Sequence, residues 1–163
     1  MSLCRLPGPA LTTQQTTSRK YRANGVEVEA GYRFSDFRIT AGLTYTDAKI
    51  RAADDPTVVG HVPRRQADLI YQIAPSYVYK DFTLGATIIG TTKSFADDGS
   101  TITLPAFTVV NAFAKYQFTR PVSLSIGVNN LFDQIGYTEA EGDGHAARSV
   151  DGRSVRGILT YSF

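Results

Sequence analysis

No run of apolar residues in this chain approaches the ~18 that a membrane-spanning helix requires. Mean hydropathy is slightly negative, although 42% of the 163 residues are hydrophobic. A helical membrane protein is excluded by these figures. A β-barrel is not, because only alternate residues of a barrel strand face lipid. Cysteine is nearly absent, and the single Cys4 excludes an internal disulfide. Charge of one sign is scarce too: 17 Lys and Arg against 15 Asp and Glu leave a net charge of +2, with the cations scattered along the chain. No nucleic acid partner is expected from that balance. The signatures of enzymes are also missing, with no G-x-S-x-G elbow, no G-x-x-x-x-G-K phosphate loop and no H-E-x-x-H. His61 and His145 stand among Asp54, Asp55, Asp143 and Asp151 without compact ligand spacing. No catalytic residue, no metal site and no cofactor is therefore expected. The adjacent acids Asp54-Asp55 and Asp97-Asp98 read as solvated loop charge.

Residues 1–20 contain Pro7, Gly8 and Pro9 and have neither an apolar export segment nor a clean alternation, so they are expected to be irregular or disordered. Cys4 is not a lipoprotein start, since three preceding residues cannot supply an apolar signal. The expectation is a C-terminal part of a longer protein, from a truncated gene or a misassigned first codon.

From Tyr21 onward the pattern is strand, turn, strand. Val26, Val28, Ala30, Tyr32 and Phe34 alternate with Glu27, Glu29, Gly31 and Arg33. After a tight turn at Ser35-Asp36, Phe37, Ile39, Ala41, Leu43 and Tyr45 alternate with Arg38, Thr40, Gly42, Thr44 and Thr46. A third strand resumes near Arg65, with Ala67, Leu69, Tyr71, Ile73, Tyr77 and Tyr79 on its apolar side and Asp68 and Gln72 on the other. Pro75 inside it predicts a bulge or an unpaired position. Phe82, Leu84, Ala86 and Ile88 follow the turn at Lys80-Asp81. The strand Phe107 to Phe118 has apolar residues on both sides, and its even positions, Val110 to Phe118, are assigned to lipid. Val122, Leu124, Ile126 and Val128 form a sixth strand. The terminal run places Val155, Leu159, Tyr161 and Phe163 on one side, a pattern that fits either a closing barrel strand or an ordinary terminal strand.

Seven strands result, and their connections alternate between short turns and long loops at about Arg51–Pro63, Lys93–Pro105 and Asp133–Gly152. Phe34, Phe37, Tyr79, Phe82, Tyr116, Phe118, Tyr161 and Phe163 all gather at the short-turn end, as one aromatic girdle would. In a β-sandwich the aromatics usually sit in mid-strand, where the core is thickest. The fold class expected is all-β: an antiparallel up-and-down transmembrane β-barrel segment of about seven strands, with short periplasmic turns and long extracellular loops. Two other architectures remain open. One is a complete small eight-stranded barrel with a structural or adhesive role, residues 10–20 adding a strand; the other is a soluble β-sandwich binding module.

The segment Gly127-Val128-Asn129-Asn130-Leu131-Phe132-Asp133 resembles the N-N-L-F-D that closes the penultimate strand of TonB-dependent outer-membrane receptors. The resemblance extends to V-V-N-A-F-A-K-Y-Q-F at Val109 to Phe118, to Gly136-Tyr137-Thr138-Glu139 and to G-R-S-V-R-G-I-L-T-Y-S-F at Gly152 to Phe163. Asn24-Gly25-Val26-Glu27-Val28-Glu29 is similar to the family's N-G-x-E-x-E strand, so residues 21–163 are covered. Asn129 and Asn130 are expected to shape the strand end through Asx hydrogen bonds, without catalysis. The resemblance implies a cell-outer-membrane receptor that captures a scarce nutrient such as an iron-siderophore complex and imports it with energy relayed by the TonB complex. Its implied partners are outer-membrane lipid, the rest of the barrel, a plug domain, the TonB complex and the iron chelate. Family members close a 22-stranded barrel around the plug, so a chain of seven strands is expected to transport nothing alone. Arg51, Arg64, Arg65, Lys93 and Arg148 are expected to be solvated loop charge.

Overall fold

The computed structural model describes residues 19–140 and 146–163. Residues 1–18, with Cys4, and the loop residues Asp143 and His145 lie outside these, as does most of the extra strand considered for residues 10–20.

Period-two alternation is realised as strands throughout. β1 (Lys20–Phe34) and β2 (Phe37–Ala52) form a hairpin, then come β3 (Leu69–Tyr79), β4 (Phe82–Thr91), the short β5 (Ser94–Phe95) and β6 (Thr103–Leu104), β7 (Phe107–Thr119), β8 (Val122–Asn129), the short β9 (Tyr137–Ala140) and β10 (Ala146–Ser149), and β11 (Ser154–Tyr161). One sheet of seven strands runs in the order β1-β2-β3-β4-β7-β8-β11, antiparallel at every step. Such nearest-neighbour order needs only hairpin connections. Two of the short turns open on a residue of left-handed φ, Ser35 and Lys80, both at 51°, which suits two-residue hairpins.

The register keeps like with like. Phe34↔Phe37, Tyr32↔Ile39, Ala30↔Ala41, Val28↔Leu43 and Val26↔Tyr45 pair across β1 and β2, and Ala41↔Ile73 and Leu43↔Tyr71 carry the apolar row onto β3. Ile88↔Val110, Ala114↔Ile126 and Leu124↔Leu159 continue it to the last strand. A slip of one residue would turn every one of these side chains to the other face. Pro75 stands opposite Ile39 without a bulge. On the β4 side the pairs stop at Ile73↔Ile88 and resume in the same register at Ser76↔Gly85, so the cost of the missing N–H is a local gap in the ladder.

No second layer covers this sheet among the described residues. The buried hydrophobic residues are Ala48, Ile50, Ala67 and Leu104, none in mid-sheet, whereas Val26, Leu43, Leu84, Ile126 and Leu159 are exposed. A sandwich core is excluded by that distribution. The long connections also differ from plain loops. β5–β6 and β9–β10 are small hairpins within two of them, and a 3-10 turn (Pro56–Val58) organises the first.

Candidate functional site

Two surfaces and one rim carry the chemistry of this sheet. The outward surface is apolar. Five rows of the β1–β2 register, from Phe34↔Phe37 to Val26↔Tyr45, span ~27 Å along the strands and ~20 Å in height at the usual tilt. Aromatic side chains mark its short-turn edge. Phe82 and Tyr116 have ring centroids 4.4 Å apart, and Phe118 meets Tyr116 edge-on at 4.8 Å. Phe118 shares that face with Tyr116 by alternation, and the register shifts by one between Gln117 and Thr119. Gln117 then ties the turn, donating from Nε2 to the carbonyls of Thr119 at 2.7 Å and Val122 at 3.1 Å. Phe34, Phe37 and Tyr79 lie exposed on the same edge, and Tyr161 and Phe163, 6.3 Å apart, end the last strand there. Val155 and Leu159 stand on β11 opposite Val128 and Leu124.

The inward surface divides in two. Along β1–β3 it is polar, with a recess among Glu29, Gly31, Thr40, Gly42 and Gln72. Glu27, Arg33 and Arg38 share that face, Arg33 directly opposite Arg38. Along β4, β7 and β8 it is mixed: Thr83, Thr87, Lys115, Ser123 and Ser125 share it with Phe113 and with Ile89, Phe107 and Val109, which line a second recess with Asn111 and Asn129. Phe113 lies flat over Gly85, where a Cβ would come within 2.4 Å of the ring. This packing accounts for the apolar residues on both sides of β7, and its even positions do share the face of Phe82 and Leu84. On the outward side Tyr71 crosses Gly90 in the same way, and its Oη lies 2.7 Å from Thr108 Oγ1.

The rim opposite the aromatics is organised by polar side chains. Asn130 is 2% exposed, with φ of 49°, a conformation asparagine tolerates. Its Nδ2 donates to the carbonyls of Gln134 and Asp151, both at 2.9 Å, and its Oδ1 accepts from Gln134 N–H at 2.8 Å. Its own N–H donates to Asn111 Oδ1 at 2.8 Å. Asn129 donates to Ser154 Oγ at 3.3 Å, Leu131 N–H to the Val110 carbonyl at 2.7 Å, and Asp133 Oδ1 accepts from Arg153 N–H at 2.8 Å. Phe132 is exposed. Residues 129–133 thus stitch the last loop to three strands by Asx bonding.

The acids are more than solvated charge. Asp97 accepts from the N–H groups of Thr101 and Ile102 and from the Thr101 hydroxyl. Desolvation opposes its charge, but these bonds, with one from Gly99 N–H, outweigh it and hold the carboxyl below its ordinary value. Asp98 accepts from Arg64 N–H at 3.0 Å and pairs with Arg19. Asp55 caps the 3-10 turn through the Thr57 hydroxyl and N–H, which lower its pKa. Arg65 pairs with Glu139, which Arg148 approaches at 4.0 Å, and Arg65 N–H donates to the Phe95 carbonyl, so the three loops are mutually tied. Adjacent Asp and Gly in a loop was the available signal for Asp97; nothing in the local pattern pointed to Asn111, Gln117 or Glu139.

An open antiparallel sheet with an apolar face, a mostly polar inner face and loops confined to one rim defines a portion of a β-barrel wall. The family model for the TonB dependent receptor-like β-barrel matches residues 4–131, and the chain belongs to that family. The probable TonB-dependent siderophore receptor PiuA of Acinetobacter baumannii is 27% identical over 159 residues, covering 87% of this chain and 20% of its own length. The ferrichrome outer membrane transporter/phage receptor of Escherichia coli is 29% identical over 123 residues, covering 69% of this chain and 16% of its own length. The chain thus spans a fifth or less of these curated relatives, which are receptors and transporters. The crystal structure of PiuA matches the fold with a TM-score of 0.78 at 23% identity, over 87% of this chain and 22% of that one.

Proposed function

We propose that residues 21–163 are the C-terminal portion of the barrel of an outer-membrane receptor that takes up a scarce nutrient, such as an iron chelate, with energy relayed by the TonB complex. The short turns face the periplasm and the loops face outside. Phe34, Phe37, Tyr79, Phe82, Tyr116 and Phe118 serve as the periplasmic girdle. Val155, Leu159, Tyr161 and Phe163 form the strand presented to barrel assembly, and Asn129 to Asp133 are the family's loop-closing motif. Uptake requires the rest of the barrel and a plug, so this chain alone is not transport-competent. The observation that carries the reading is the unbroken apolar face, exposed across seven strands and edged by aromatics at one rim.

A chimera tests it. With residues 20–163 replacing the matched fifth of the Acinetobacter baumannii receptor, the expected product is a membrane-inserted, heat-modifiable barrel that supports chelate-dependent growth. Failure of the chimera to insert, where the unaltered receptor inserts, would sink the proposal.

A further inference from the structure

We propose that Arg65 is a positioning residue that joins the three long loops into one cooperative arch over the mouth of the wall, so that they open and close together. This rests on the reading that the loops face outside in a receptor barrel. A loop standing straight up on its own hairpin reaches only the neighbouring strands. Arg65 precedes the third strand of the sheet and Glu139 follows the sixth, three spacings or ~14 Å apart along the rim, yet their side chains pair. Arg19, before the first strand, pairs with Asp98 of the loop between the fourth and fifth. The loops therefore lean together across the rim. The last of them leans inward: Gly136 is buried against the Phe107 ring on the inner face, where a Cβ would come within 2.5 Å.

Arg65 faces two ways. Its backbone is left-handed, with φ of 60°, a conformation uncommon for a long side chain and kept only where the surroundings over-determine it. From that turn its N–H donates to the Phe95 carbonyl of the second loop at 2.6 Å, while its guanidinium pairs with Glu139 of the third. Arg64 N–H beside it donates to Asp98 Oδ1 at 3.0 Å. Among the described residues, the hydrogen bonds and ion pairs from the first loop to the other two all pass through Arg64 and Arg65. Side-chain exposures of 47% and 28% leave the Arg65–Glu139 pair open to water, where such a pair is a weak tie that salt screens further. The arch is thus fastened yet releasable. An iron chelate that touches one loop biases all three, because they share one opening equilibrium.

The chimera that tests the receptor reading, extended to begin at residue 19 so that Arg19 keeps Asp98, carries the experiment. Hydrogen exchange is followed at the Gly60, Ala96 and Val150 amides, one in each loop, with Val78 at the short-turn end as control. R65Q and E139Q should each lower protection at all three loop amides by a common factor of about fivefold and leave Val78 within about 1.5-fold. R65K, which keeps the charge, should stay within about twofold of the parent, and so should R148Q, which removes an exposed cation 4.0 Å from the same carboxylate. Raising the salt concentration should move the parent toward R65Q. A loss confined to Gly60, unequal factors in the three loops, R65K as weak as R65Q, or R148Q as damaging as R65Q overturns the arch in a chimera whose insertion leaves the receptor reading standing. Failure of the chimera to insert overturns both.

Discussion

Asn130 ties together separate segments of the loop-side rim. Its side chain joins residues 134 and 151, and its backbone N–H joins residue 111, at one buried position with left-handed backbone. Replacing it with Ala removes the side-chain bonds, leaves the Gln134 and Asp151 carbonyls short of a donor, and strains the backbone. Each lost bond is worth ~1 kcal/mol, so N130A in the chimeric barrel should cost about 2–4 kcal/mol by urea denaturation. N130G keeps the backbone unstrained and should cost less. Proteolysis should then cut between 133 and 152 first. Equal stability of N130A and the parent would refute the assignment.

At the scale of elements, strand positions and faces followed from the period-two pattern, because an apolar side chain on the wrong face of a half-wet sheet is costly. The loops did not follow. Runs such as Asp97-Asp98-Gly99-Ser100 look merely hydrophilic, yet Asp97 folds them into a turn by accepting bonds from residues 101 and 102. With its folded pKa below the ordinary 3.8, Asp97 contributes stability that is complete above that value and is lost as pH falls through the folded value. The protection of the Thr101 and Ile102 amides relative to their intrinsic exchange rates should therefore fall below about pH 4, and D97A should abolish the change. Protection that is flat with pH in the parent would exclude this role for the carboxylate. Tertiary ties such as Arg65–Glu139 had no local signal, since they join residues 74 positions apart.

The whole molecule is governed by its two outer strands. β1 runs from the loop rim to the short turns, and an odd number of antiparallel strands makes β11 run the same way. Two copies side by side in one orientation would therefore meet through parallel edges. Antiparallel closure demands a partner segment with an odd number of strands, both of its outer strands running the other way. In hydrocarbon each unpaired backbone group costs several kcal/mol, so the chain alone should give no conductance in a planar bilayer and no heat-modifiable species. Micelles are more permissive because water reaches the edges. Channel activity from the purified chain would overturn the prediction.

The sequence by itself determined the strands, their faces, the alternation of short and long connections and the family, because each is written in residue periodicity or contiguous motifs. Only the tertiary structure decided that no second layer covers the apolar face among the described residues, that Phe113 packs over Gly85 on the inner face, and that the loops are bound to one another. The physical reason is range. Alternation is a property of neighbours along the chain, whereas burial and cross-loop ion pairs depend on which strand lies beside which.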